Sequence, residues 1–188
     1  MRIIEDKAQQ KGKHAQKNEW FRSRGIEVIR YPLPVGDYIL VNEKVQDVIS
    51  RKANRGMEPK KMDFLGSYTV TVDTKKDIQE LCGDICGKSH DRFRDECILA
   101  QNNEIKLYIL VENKDGIQKL EDLPKWKNPR LYIRKNGVQL YPRATKGVSL
   151  MKSCWTMRTK YGVEFLFCTP EESAKKVVEL LGGDENES

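Results

Sequence analysis

Asp73 and Lys75 stand two positions apart at the end of the β-branched run Thr69-Val-Thr-Val-Asp-Thr-Lys-Lys76. Alternate side chains of a strand share a face, so this carboxylate and ammonium project together from the strand end, while Lys76 points away. A carboxylate can hold a divalent metal while a neighbouring lysine orients a water or neutralises charge on a phosphate, which is the chemistry of metal-dependent phosphodiester cleavage. Such hydrolysis needs two or three oxygen ligands for Mg²⁺ or Mn²⁺. Asp37 can supply one of them from a turn at Gly36, where the missing Cβ lets a phosphate approach, and the backbone carbonyl of Thr74 can supply another. An acid-x-Lys pair is common in charged chains, so its meaning depends on the elements that position it.

Arg2 to Glu5 reads as a first strand and Lys13 to Arg24 as a helix closed by Gly25. Ile26–Ile29 and Tyr38–Val41 read as strands on either side of the turn Pro32-Leu-Pro-Val-Gly-Asp37. From Asn42 to Tyr68 the periodicity breaks down among Asn, Gly and Pro, which predicts a mobile basic insertion whose Arg51, Lys52, Arg55, Lys60 and Lys61 contact phosphates without reading sequence. Residues 76–86 and 91–101 read as two helices. Arg92 and Glu96 share a face of the second, either as an i,i+4 pair or turned toward substrate, with Arg92 a candidate DNA contact. Ile105 to Val111 is the most apolar segment and predicts a central strand buried on both faces, ending at Glu112, a candidate ligand or water-orienting acid.

Residues 113–144 look irregular, with a hairpin turn at Lys135-Asn-Gly137. Trp126 lies there beside Lys127 and Arg130. It can stack on an unpaired base while those cations meet phosphates, or pack the edge of the core. A helix over Thr145–Tyr161, a strand over Val163–Cys168 and a helix over Pro170–Leu181 follow, with a frayed tail from Gly182 to Ser188. This order predicts an α/β chain, one domain over residues 1–181, with a mixed central β-sheet flanked by helices. Functional groups in such sheets gather at strand ends, so Asp37, Asp73, Lys75 and Glu112 are expected in one cleft.

The 34 Lys and Arg against 28 Asp and Glu give a net charge of +6 and a pI near 9.0, which favours a polyanionic partner. No apolar run approaches the roughly 20 residues that span a bilayer, and the N-terminus is polar, so an intracellular, cytoplasmic protein with no membrane partner is expected. Five cysteines without a secretory signal predict free thiols. Cys82, Cys86 and His90 fall at i, i+4 and i+8 with Cys97 beyond, but Gly83 and Gly87 intervene and no C-x-x-C knuckle is present. That favours buried thiols and an exposed histidine over zinc. His14, in a lysine-rich stretch, is expected to be solvated.

Leu33-Pro-Val-Gly-Asp-Tyr38, the acid-x-Lys strand, the helix bearing Arg92-Phe-x-x-Glu96 and the apolar strand ending in Val111-Glu112 together resemble the XPF-type nuclease domain. The segment Gly147 to Leu181 is similar to the end of that domain. The resemblance implies a restriction-endonuclease-like fold of the PD-(D/E)XK superfamily and cleavage of branched or flapped DNA with Mg²⁺, Mn²⁺ substituting. The homodimer is common in that family. A stand-alone bacterial or phage form without a helix-hairpin-helix tail is expected. Where the family has Glu-Arg-Lys, this chain has Asp73-Thr74-Lys75. Its final acid falls at Gln79, with Glu80 next to it, and Asp6 is followed by Lys7-Ala8 rather than Arg-Glu. Ser50-Arg-Lys52 looks like the same triplet without its acid, but loop composition follows it. The expected activity is a structure-specific DNA endonuclease. The rivals are a DNA-binding relative without catalysis and a protein-binding role for the basic surface.

Overall fold

This computed structural model describes residues 1–8 and 14–182, and within them six strands form one mixed sheet. They are β1 (Arg2–Asp6), β2 (Glu27–Tyr31), β3 (Tyr38–Leu40), β4 (Val70–Lys75), β5 (Lys106–Glu112) and, after a two-residue hairpin ladder of β6 (Arg134–Lys135) and β7 (Val138–Gln139), β8 (Glu164–Cys168). The order across the sheet is β2-β1-β3-β4-β5-β8. β3 runs antiparallel to both neighbours and every other pair is parallel. Parallel neighbours need crossovers, supplied by α1 (Ala15–Ser23) before β2, α3 (Ile78–Cys86) and α4 (His90–Asn102) before β5, and α5 (Gly147–Tyr161) before β8. α2 (Glu43–Ala53) follows β3, and α6 (Ser173–Leu180) closes the fold.

Strand alternation divides the core into two apolar clusters. Ile4, Ile39, Ile109 and Val111 face α2 to α5, while Ile3, Tyr38, Val72 and Leu110 face α1 and α6. β5 is buried on both faces, as its composition predicts. Because Asp73 and Lys75 follow Val72 by odd steps, they share the face of α3 and α4. Glu112 follows Leu110 by two and shares the face of α1 and α6.

Residues 42–68 are not the mobile insertion that their charge suggests. The Asn42 side chain accepts a hydrogen bond from Val45 N at 2.9 Å and opens α2, whose Val45 and Val48 are buried against the sheet. A 3₁₀ turn over Lys61–Phe64 then buries Phe64 completely, its ring 5.9 Å from that of Tyr31. The apolar face of α2 is narrow and the cations on its other faces dominate the composition, which is why the periodicity is easy to miss. Ser50-Arg-Lys52 therefore lies on a helix, not at a strand end.

Other boundaries move little. α3 starts at Ile78 because Asp77 caps it, accepting from Glu80 N at 2.7 Å. α5 stops at Gly162, with φ +69°. His14 is buried, not solvated, and packs edge-on against Tyr38 with ring centres 5.6 Å apart. Lys13 and residues 183–188, the start of one predicted helix and most of the predicted tail, lie outside the described residues. Among the described residues no helix is long and apolar enough to cross a membrane. Replacing Asn42 by Ala should cost about 1 kcal/mol through loss of the α2 cap, read as a lower urea midpoint at unchanged slope.

Candidate active site

The turn before β3 places Asp37 between two strand ends. Its N–H donates to Val72 O at 2.9 Å and its carbonyl accepts from Asp6 N at 2.7 Å, so the backbone is tied to β1 and β4 together. Gly36 makes the turn possible, since its φ is +74° and a Cβ there would fall 2.0 Å from Thr71 Oγ1. The buried carboxylate of Asp37 accepts from Thr74 N at 2.9 Å and from Thr74 Oγ1 at 2.7 Å. Asp73, Thr74 and Lys75 are buried beside it at the end of β4. Lys75 Nζ lies 2.7 Å from Asp73 Oδ2 and 2.7 Å from Asp84 Oδ2 on α3.

These groups line a cleft of about 470 Å³ together with Asp6, Lys61, Glu80, Arg92, Asp95 and Glu96. Seven carboxylates face three cations there. Burial pushes the Asp73 carboxyl up to about 7; Lys75 works against the rise and the charge of Asp37 adds to it. Burial, with the charge of Asp73, likewise lifts Glu96 to about 7, although Glu96 accepts from Gly36 N at 2.8 Å. For Lys75 burial favours the neutral form, but the charges of Asp73 and Asp84 outweigh it and raise its pKa above the ordinary lysine value. Lys75 is therefore a fixed cation at neutral pH.

The structure thus brings Asp37, Asp73, Thr74 and Lys75 together, as the sequence predicts, but it sets Glu112 apart. Glu112 sits on the opposite face of the sheet, where its carboxylate makes a close buried ion pair with Lys17 of α1 and accepts from Ser173 Oγ of α6 at 2.8 Å. Reading strand ends without strand parity is what placed it in the cleft. Arg92 and Glu96 both reach the cleft instead of pairing with each other, Arg92 Nη2 lying 3.9 Å from Asp84 Oδ1.

Of the predicted DNA contacts, Lys61 and Arg92 stand at the cleft. Arg51 pairs with Asp47 on the exposed face of α2, and Lys52 is drawn to Asp63 at 2.8 Å. Arg55, Lys60, Lys127 and Arg130 are exposed. Trp126 is buried and packs the core, so it offers no stacking face. Asp84 was missed because nothing in its spacing marks it. Only the approach of α3 to β4 brings it to Lys75.

Cys82, Cys97, Cys154 and Cys168 are buried free thiols, Cys86 is an exposed one, and His90 is half-buried. Among the described residues no group of three or more His, Cys, Asp or Glu side chains is arranged to hold a metal ion.

A mixed six-stranded sheet flanked by helices, with an acidic cleft where β1, β3 and β4 end, is a restriction-endonuclease-like α/β fold. The chain belongs to the ERCC4 domain family, whose profile matches residues 5–180. Among solved structures it is similar to XPF from Aeropyrum pernix in complex with DNA, at 16% identity and a TM-score of 0.55 over 96% of this chain and 62% of that one. A second structure of XPF from Aeropyrum pernix gives 15% identity and a TM-score of 0.54 over 100% of this chain and 63% of the other. The chain therefore spans less than two thirds of the length of these relatives. No curated protein matches.

Two substitutions test the geometry. Gly36→Ala, which meets both the left-handed backbone and Thr71, should cost about 2–4 kcal/mol in chemical denaturation. Glu112→Ala, which strands the buried Lys17 ammonium, should cost about 3–5 kcal/mol, and the double change Lys17→Met with Glu112→Leu should recover most of that loss.

Proposed function

We propose that this chain is an intracellular, divalent-metal-dependent endonuclease that hydrolyses phosphodiester bonds in branched DNA, in recombination, repair or mobile-element replication. The observation that carries this reading is the charge of the cleft, seven carboxylates against three cations. Such a cleft repels a phosphodiester unless further cations enter it.

The donor chemistry fits Mg²⁺, with Mn²⁺ as a substitute, because the donors are hard oxygens held on fixed backbone. Asp37 and Asp73 raise the cost of each other's charge, as expected of a pair built to share a cation. They would hold the ion with the Thr74 carbonyl, the remaining donors coming from water and substrate phosphate. When bound, the ion supplies Lewis acidity and lowers the pKa of an attacking water. Lys75, kept protonated by Asp73 and Asp84, orients that water or offsets charge developing on the phosphate. Asp84 fixes the position of the ammonium. Lys61 and Arg92 at the cleft, with Arg51, Arg55 and Lys60 farther out, meet the DNA backbone and add no sequence preference. That an XPF of the same fold has been solved with DNA supports the substrate class.

One observation favours a DNA-binding relative without catalysis. Gln79 stands where the resemblance places the final acid, and its buried Oε1 has no hydrogen-bond partner. Cleavage of labelled Holliday junction, flap, fork and linear duplex in Mg²⁺ and in Mn²⁺ decides between the readings. We expect metal-dependent nicking of a branched substrate, abolished by Asp73→Asn and reduced about 10²–10³-fold by Lys75→Ala. DNA that is bound but left intact would establish the non-catalytic relative instead. The rate should rise with pH through about 7, because Asp73 holds a cation only when ionised. Excess metal should move that midpoint down, since ion and proton compete for the same oxygens.

A further inference from the structure

The charge of the chain is unevenly distributed. Between Leu123 and Val163 lie ten of the 34 Lys and Arg and none of the 28 Asp and Glu, which leaves 24 cations against 28 acids elsewhere. The entire positive surplus therefore resides in one stretch, comprising the loops around the β6–β7 hairpin and helix α5. Nine of its ten cations are exposed and the tenth, Arg158, is half-buried. Apart from Lys125 with Asp122 and Arg158 with Glu164, they form no ion pair among the described residues. Charges that pair with nothing inside the fold are available to a partner.

The same stretch carries seven of the ten large hydrophobic side chains exposed among the described residues. Tyr132 is 63% exposed, Tyr141 47% and Trp155 37%. Arg130 lies 5.9 Å from the centre of the Tyr141 ring and Arg158 5.1 Å from that of Trp155, so each ring already has a cation beside it. A shallow depression of about 340 Å³ between Trp155, Thr156, Thr159 and Lys160 opens beside the indole. Helix α3 connects this surface to the cleft. Its Asp84 meets Lys75, and the helix itself packs against α5.

Exposed rings among cations most of which are unpaired are poorly matched to a duplex, which offers phosphates but keeps its bases stacked. They match an unpaired strand, which offers both phosphates and open base faces. Docking this surface on the same surface of a second copy would set like charges face to face, which disfavours that occupant. We propose that the cation-rich segment 123–163 holds an unpaired strand of nucleic acid, with Tyr132, Tyr141 and Trp155 stacking on bases and the hairpin cations on phosphates. This binding requires neither the metal nor Asp73, and so stands apart from cleavage in the cleft.

The test is fluorescence anisotropy with labelled oligo(dT) and with a duplex of equal length. It compares the wild type with Trp155→Ala, Trp155→Phe, the Tyr132→Ala/Tyr141→Ala pair, Arg134→Gln/Lys135→Gln and Asp73→Asn. The Trp155→Ala and paired tyrosine changes should each weaken oligo(dT) about tenfold and the duplex far less, with Trp155→Phe restoring most of the loss. Removing the two hairpin cations should reduce the salt slope for oligo(dT) by about 1.4. Asp73→Asn should bind oligo(dT) as the wild type does. Oligo(dT) affinity that ignores the aromatic changes overturns the proposal, as does a self-association that Arg134→Gln/Lys135→Gln disrupts and oligo(dT) does not. Cleavage of branched DNA without aromatic-dependent strand binding would defeat this inference alone. Strand binding without cleavage would defeat the nuclease reading alone.

Discussion

One buried ammonium organises the cleft. Lys75 reaches Asp73 on its own strand and Asp84 on α3 at the same distance, which fixes a helix against a strand end. Without that cation the buried carboxylates of Asp37, Asp73 and Asp84, with the half-buried Glu96 beside them, would be crowded together with no compensating buried charge. Even with it, Asp73 and Glu96 remain hard to ionise. The fold tolerates an electrostatically costly arrangement there, and such tolerance is characteristic of sites that perform chemistry.

The sheet also separates two polar networks that lie at neighbouring strand ends. Asp73–Lys75–Asp84 occupies the face of α3 and α4, and Lys17–Glu112–Ser173 occupies the face of α1 and α6. β4 and β5 are parallel and in register, with Lys75 opposite Val111, so Glu112 ends its strand near the cleft while projecting behind it. The second network holds the helices of the other layer to the end of β5. The contrast shows how one residue of offset separates a position in the cleft from one behind the sheet.

Charge is partitioned on a larger scale as well. The cleft is acidic and residues 123–163 are wholly free of acids, so the modest net charge of the chain conceals two surfaces of opposite character. Opposed fields of this kind have different effects, since an acidic cleft attracts cations and a basic segment attracts anions. The chain shares its fold with an XPF structure at only 16% sequence identity, and the two-sided alternation of its own strands requires apolar residues toward each layer rather than particular ones.

Strand positions, most helix boundaries and the grouping of Asp37, Asp73, Thr74 and Lys75 were legible in the chain, because periodicity, turn residues and caps are local properties. Helix α2 was obscured for an equally local reason, since its few apolar positions are outnumbered by charges, although Asn42 at its start is a cap signal. The absence of acids between Leu123 and Val163 was open to inspection as well. What only the tertiary structure decided is which distant side chains meet. Asp84 arrives at Lys75, and Lys17 at Glu112, through the packing of helices across strands, while Trp126 turns inward and Trp155 outward. Local sequence sets the conformation of each segment, but a contact between segments depends on the face each one presents, and that face is chosen by burial of the whole core.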